Sequence, residues 1–225
     1  MQDGAARQVQ VVYARIAGLV YLLLIVLFMG CEFLISGILG SGDVAGMMER
    51  ARASQNAYRG ALAVEVLTSI FTVVLAFALY VVVRPISERL AKLALYFRLG
   101  EAFVGTAAML VSYTQFAIYR SGMDAVQAKT ILAIVHVVDR ASFNITTLVF
   151  SFGSTIFFYL LLKSLYIPKL LAAFGLFASL AVTVASLSNL VLPEYARAMQ
   201  IAFLPMFAAE IATGFWLLLR GVSVR

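Results

Sequence analysis

Residues 61–83, Ala-Leu-Ala-Val-Glu-Val-Leu-Thr-Ser-Ile-Phe-Thr-Val-Val-Leu-Ala-Phe-Ala-Leu-Tyr-Val-Val-Val, decide the fold. The run is apolar apart from Glu65 and three hydroxyl side chains, and it is long enough for a helix to cross the hydrocarbon of a bilayer, which takes about 20 residues. Inside lipid each backbone amide must find its partner within its own segment, so the run is a helix. A β-barrel would show shorter stretches alternating apolar and polar residues, and there are none. Working outward, five further runs of the same kind appear: Ile16–Leu39, Leu93–Phe116, Phe143–Leu162, Leu170–Leu192 and Gln200–Leu219. The chain of 225 residues is 63% hydrophobic and 12% charged, with a mean hydropathy of +0.99. A soluble domain carries about 25% charged residues. The expected architecture is therefore an all-α integral membrane bundle of six transmembrane helices in a single domain.

An even number of spans puts both termini on one side. Nine basic residues fall there, Arg7, Arg84, Arg89, Lys92 and Lys169 among them, against six on the other side, including Arg50, Arg52 and Arg120. Cytoplasmic loops carry the excess of Lys and Arg, so both termini are expected in the cytoplasm. The formal charge of +6 is spread over these connections with no basic stripe, which excludes nucleic acid as a partner. Two connections on the terminal side hold prolines that stop helices, Pro85 and Pro168. Opposite, Gly40-Ser41-Gly42-Asp43 reads as a breaker from which Asp43 caps a short interfacial helix over Val44–Ala57. Apolar residues resume at Ile131, well before the fourth span, which places His136, Asp139 and Arg140 at or just above the far interface.

Several motifs dissolve on inspection. Gly30-Cys31 resembles a lipoprotein cleavage box, but Phe28 and Met29 suit the two preceding positions poorly, so Cys31 reads as a small buried hydrophobe. Gly40-Ser41-Gly42-Asp43 matches an aspartyl-protease signature without the second aspartate that such chemistry requires. Phosphate-binding loops, nucleophile elbows and His-Glu-x-x-His are missing. One histidine and one cysteine leave no His- or Cys-rich metal site. No metal and no cofactor is expected, and no motif identifies a catalytic residue.

What remains is a set of ionisable groups inside apolar segments: Glu32, Glu65, Glu101, Asp139 and Glu210, with Arg98 and Arg140. Charge at membrane depth is costly and usually marks a partner or a function. Helical spacing aligns Tyr21, Phe28, Glu32 and Ser36; Glu65, Thr68, Ser69, Thr72 and Ala76; Asp139, Ser142 and Thr146. Arg98 and Glu101, three apart, can pair along their own helix. Ala172, Gly175, Ser179 and Thr183 form a small-residue ridge suited to close helix packing, with Ser186 and Asn189 extending it. Pro205 should bend the last span by removing a hydrogen bond to Ile201, leaving Glu210 below the bend on a face with Thr213 and Gly214. Trp216 reads as an anchor at the inner interface. Turned inward, these faces would put Glu101 and Glu210 near mid-membrane, with Glu210 a second partner for Arg98. Glu32, Glu65 and Asp139 would line a far-side vestibule.

The ordered pieces Arg15-Ile16-Ala17-Gly18-Leu19-Val20-Tyr21-Leu22, Phe97-Arg98-Leu99-Gly100-Glu101-Ala102 and Lys163-Ser164-Leu165-Tyr166-Ile167-Pro168 continue with Leu192-Pro193-Glu194-Tyr195, Pro205, Glu210 and Trp216-Leu217-Leu218-Leu219. In this order and spacing they resemble the bacterial membrane-protein family called domain of unknown function 4386, over nearly the whole chain from Arg15 to Gly221. The resemblance implies a multi-pass protein of the bacterial inner membrane. It brings no reaction, ligand or catalytic residue. Arg98, Glu101, Pro205 and Glu210 fall at positions matching the family pattern, whereas Glu32, Asp139 and Arg140 do not.

The residues favour binding or transport of a small solute, lipid or ion through a polar pocket, with Glu210, Glu101, Arg98, Glu32, Glu65 and Asp139 as ligand-binding or proton-titrating candidates. An accessory membrane subunit with purely structural ion pairs is the alternative, and an intramembrane lipid-modifying enzyme the second. Expected partners are membrane lipids, a small-molecule or ion ligand, and a second copy of the chain, since six spans without inverted repeats are few for a self-sufficient transporter.

Overall fold

Each expected span is a helix, and the local chemistry of the connections sets where each one stops. In this computed structural model residues 2–192 and 200–223 are described. Helix α1 is Gln2–Leu39, α2 Val44–Ala53, α3 Gln55–Val83, α4 Glu88–Arg120, α5 Ala125–Ser164 and α6 Lys169–Val191. A 3-10 turn, Gln200–Ala202, then leads into α7, Phe203–Arg220. Apart from α2, all are long and apolar enough to cross a membrane; the chain is a multi-pass membrane protein. Helices α1, α3, α4 and α5 outrun their apolar runs, most of all α5 with 40 residues and about 60 Å of length. Hydropathy marks what lipid covers and leaves the helix free to continue in water.

The breaker after α1 works as its composition requires. Gly40 and Gly42 take φ of 60° and 129°, conformations that glycine adopts without steric cost, and the Asp43 carboxylate accepts from the Gly46 amide at 2.9 Å. The short helix ends earlier than expected, at Ala53: the Ser54 N–H bonds back to the Arg50 carbonyl and α3 begins at Gln55. Arg50 donates through Nε and Nη2 to the Leu39 carbonyl and through Nη2 to that of Ser41, closing the C-terminus of α1. Arg52 does the same at the end of α4, donating to the Ser121 carbonyl. Asp124 caps α5 through the Val126 and Gln127 amides at 2.9 and 3.0 Å.

The six long helices form a closed ring in which each packs on two neighbours: α1, α3, α4, α5, α6, α7 and back to α1. Glycines permit the closest approaches. A Cβ on Gly18 of α1 would stand 2.3 Å from the Leu218 backbone nitrogen and 2.6 Å from the Gly214 carbonyl oxygen of α7. On the expected small-residue ridge, the Phe158 ring occupies the place of a Cβ on Gly175, 2.1 Å away. The terminal-side half is filled by one apolar core with residues from all six helices, among them Ala17, Leu79, Ala94, Phe157, Val182 and Leu217. A second cluster caps the far side around Met48, Tyr58, Phe116, Tyr119 and Leu132 of α2 to α5, with Ile35, Ile38 and Leu39 of α1 packed against it. The terminal side is also sewn shut. The Gln10 amide donates to the Val82 carbonyl at 2.8 Å and to the Tyr166 hydroxyl at 3.1 Å, and the Ser223 N–H bonds to the Tyr166 carbonyl.

Pro205 does not bend a helix. It sits in the first turn of α7, right after the 3-10 turn, where its missing N–H has no helical partner to lose. Trp216 is not an interfacial anchor either: it packs against the apolar core and its Nε1 is buried without an acceptor. The expected face of α1 holds only at Tyr21, which is 4% exposed; Phe28, Glu32 and Ser36 are exposed, because the far half of α1 packs instead through Cys31, Ile35 and Ile38. Pro193, Glu194 and Tyr195 lie outside the described residues.

Candidate functional site

At mid-height in the ring, groups from opposite helices meet. Arg98 on α4 stands ten residues from that helix's terminal-side end, Glu210 ten residues from the end of α7, and Gly153 eleven from the end of α5. All three therefore share a depth of about 15 Å at 1.5 Å per residue. Arg98 is 3% exposed, and its Nη1 lies 2.8 Å from Glu101 Oε2. The contact is ionic: the N–H does not aim at the oxygen, so Nη1, Nε and Glu101 Oε2 all lack a hydrogen-bond partner. The guanidinium lies against the Phe150 ring, 4.8 Å from its centroid. Gly153 makes room for it, since a Cβ there would come within 2.9 Å of Arg98 Cγ.

Glu210 and Tyr21 complete the cluster, close enough to Arg98 and Glu101 for each to feel the others' charge. Glu210 forms no ion pair among the described residues. One turn along α7, Thr213 is fully buried with its hydroxyl unpartnered. Accessibility is divided unevenly. Arg98 is sealed, whereas Glu101 keeps 15% of its side-chain surface and Glu210 is half-buried.

The far-side acids form a separate group. Glu32 of α1, Glu65 of α3 and Asp139 of α5 lie within electrostatic range of one another, with Glu65 and Asp139 half-buried and Glu32 exposed. None of them has a basic partner among the described residues; Arg140, expected as a neighbour for Asp139, is exposed and unpaired. The hydroxyls of the expected polar stripe on α3 are satisfied by their own helix, Thr68 donating to the Glu65 carbonyl at 2.6 Å and Thr72 to that of Thr68 at 2.9 Å. Between α5 and α6, Thr183 donates to Ser151 at 2.9 Å and the Asn144 amide to the Ser186 carbonyl at 3.0 Å. These are ties between helices and expose no chemistry.

The best-formed cavities lie elsewhere. One of about 390 Å³ opens between α1 and α2 beside Phe33, Gly37 and Arg50, and one of about 510 Å³ beside Pro168 and Phe174. Among the described residues no group of three metal-ligating side chains comes together.

Of the six candidates, then, Arg98, Glu101 and Glu210 converge at one place, and Glu32, Glu65 and Asp139 at another. Sequence reasoning missed Phe150 and Gly153, which hold and admit the guanidinium. Both look like ordinary bilayer residues, and only their position opposite Arg98 across the α4–α5 contact gives them a role. The Gln10–Tyr166 clasp was missed for the same reason, its partners being 156 residues apart.

The family model described as domain of unknown function (DUF4386) matches residues 16–221. The match covers nearly the whole chain, and the chain belongs to that family. No curated protein and no solved structure matches it.

Proposed function

We propose, for this member of the DUF4386 family, that the protein binds a small polar or charged solute at the Arg98–Glu101–Glu210 cluster and passes it through the bundle from the side opposite its ends. One observation carries the reading: at mid-membrane Glu101 pairs with a sealed guanidinium while Glu210, on the opposite helix of the ring, forms no ion pair among the described residues, yet both carboxylates keep accessible surface. A structural ion pair alone gains nothing from that accessibility or from a Glu210 without an ion-pair partner among the described residues, because charge at this depth is costly unless compensated. The far-side acids, without basic partners among the described residues, support entry there. Their field would concentrate a ligand at the mouth. The excess of basic residues beside the ends, with Arg50 and Arg52 engaged in closing helices, supports cytoplasmic termini, and family membership supports the bacterial inner membrane.

A second reading, an accessory subunit whose charges only lock its own ring, is favoured by the Arg98–Glu101 pair itself, a sealed guanidinium met by a carboxylate one turn along its own helix. Thiol labelling separates the two. In a Cys31→Ser background, Glu101→Cys and Glu210→Cys should react with a membrane-impermeant aqueous reagent. Phe77→Cys and Phe215→Cys, which face lipid, should not. Protection of both cluster positions would refute the binding site and leave the accessory role.

A further inference from the structure

The geometry points to the class of ligand: a monovalent cation that a carboxylate can accept, either a proton or a small ammonium or alkali ion, held at Glu210. The inference rests on the binding site proposed above. An anion or a zwitterion would need Arg98, the only basic group in the cluster. That side chain is 3% exposed, covered by Phe150 on one side and hemmed in by Gly153 on the other. Its charge is already matched by Glu101 at 2.8 Å. What the site shows to an arriving ligand is acceptor oxygen, at Glu101 and above all at unpaired Glu210. The fully buried Thr213 hydroxyl, one turn from Glu210 and without a partner, adds a second oxygen. A cation there would find Glu210 and Glu101 as negative groups, Arg98 as the fixed positive one and Tyr21 as the remaining titratable neighbour. With both acids ionised the cluster carries one negative charge too many, and one monovalent cation restores neutrality. A divalent ion is a poor fit, because the two carboxylates less the Arg98 charge leave only one negative charge to balance. The approach is consistent with the ligand, since Glu32, Glu65 and Asp139 are acidic and form no ion pair among the described residues.

Trp216, the single tryptophan, lies six residues from Glu210 on α7 and packs against the core, and its fluorescence is the readout. Protein in phosphatidylcholine nanodiscs would be titrated with sodium, potassium and methylammonium chloride at fixed pH. A proton titration in N-methylglucamine buffer forms another arm, and acetate and glycine serve as anionic and zwitterionic probes. The expected result is a saturable response to protons or to one of the small cations, weakened at least tenfold in Glu210→Gln and retained in Glu32→Gln. The arm that responds identifies which monovalent cation is held. Glu210→Asp, which keeps the charge, should respond measurably and guards against reading a folding defect as lost binding. Saturation by acetate or glycine without a cation response would overturn the cation class and leave the binding site standing. A response to no probe, or one equal in wild type and Glu210→Gln, would overturn both.

Discussion

Gly18→Ala tests the closure of the ring. Elsewhere in a helix the exchange of glycine for alanine stabilises by up to about 1 kcal/mol. Here the new Cβ would lie 2.3 Å from the Leu218 nitrogen and 2.6 Å from the Gly214 carbonyl. Ordinary contact begins near 3.4 Å, and both neighbours are backbone atoms that cannot rotate aside. Helices α1 and α7 must therefore part by about an ångström, which loosens Ala17, Ala209 and Leu217 of the core. Overpacking of this kind costs about 1–3 kcal/mol. At the upper end of that range, and offset by the helix preference, the net loss is about 2 kcal/mol, or roughly 4–8 °C for a chain of this size. The control is Gly37→Ala, whose Cβ meets nothing within 4 Å; it should melt at or slightly above wild type. Thermal unfolding in detergent, read by Trp216 fluorescence, measures both. If Gly18→Ala melted as high as Gly37→Ala, the α1–α7 contact would not be as close as described.

Gly153→Ala should push against the stem of Arg98 and lower the melting temperature by a few degrees, on the same overpacking scale of about 1–3 kcal/mol; the same melting assay reads it. Arg98→Met alone should destabilise by about 3–5 kcal/mol by leaving Glu101 uncompensated, whereas Arg98→Met with Glu101→Leu should recover most of the loss; a double-mutant cycle measures the difference. Leu165 ends α5 with a φ of 58°, so Leu165→Gly should raise stability by about 1 kcal/mol. Asp43→Ala should lower it by about 1 kcal/mol through loss of the cap on α2, with m-values in denaturant unchanged.

Much of the architecture was legible because the bilayer demands so much of each segment. Lengths near 20 apolar residues gave six spans, and Gly40, Asp43 and Pro168 marked real helix ends. Arg98 with Glu101 was readable from spacing alone, since one turn of helix separates them. The alignment of Glu65, Thr68, Thr72 and Ala76 gave the inward face of α3, where Thr72 and Ala76 are buried. The far half of α1 was misread because alignment along a helix says which residues share a face, but not whether a neighbour covers it. Pro205 was misread because a proline costs a hydrogen bond only past the first turn, and the start of α7 is not written in hydropathy. Trp216 was misread for a related reason: an indole near a membrane boundary can turn toward headgroups or toward the core, and only packing decides. Phe150, Gly153 and the Gln10 clasp depend on which helices become neighbours, and periodicity within one segment carries no such information.

The tip of the α4–α5 hairpin, joined by the short turn at residues 121–124 and braced by α2, rises past the apolar band as two long helices fastened together by Tyr58, Phe116, Tyr119 and Leu132. At 24.5 kDa the protein offers little mass outside a detergent belt, and particles that small are hard to align by electron microscopy. Splicing a soluble helical protein into that turn, in register with both helices, would give a rigid fiducial. Its orientation would report the tilt of α4, the helix that carries Arg98 and Glu101.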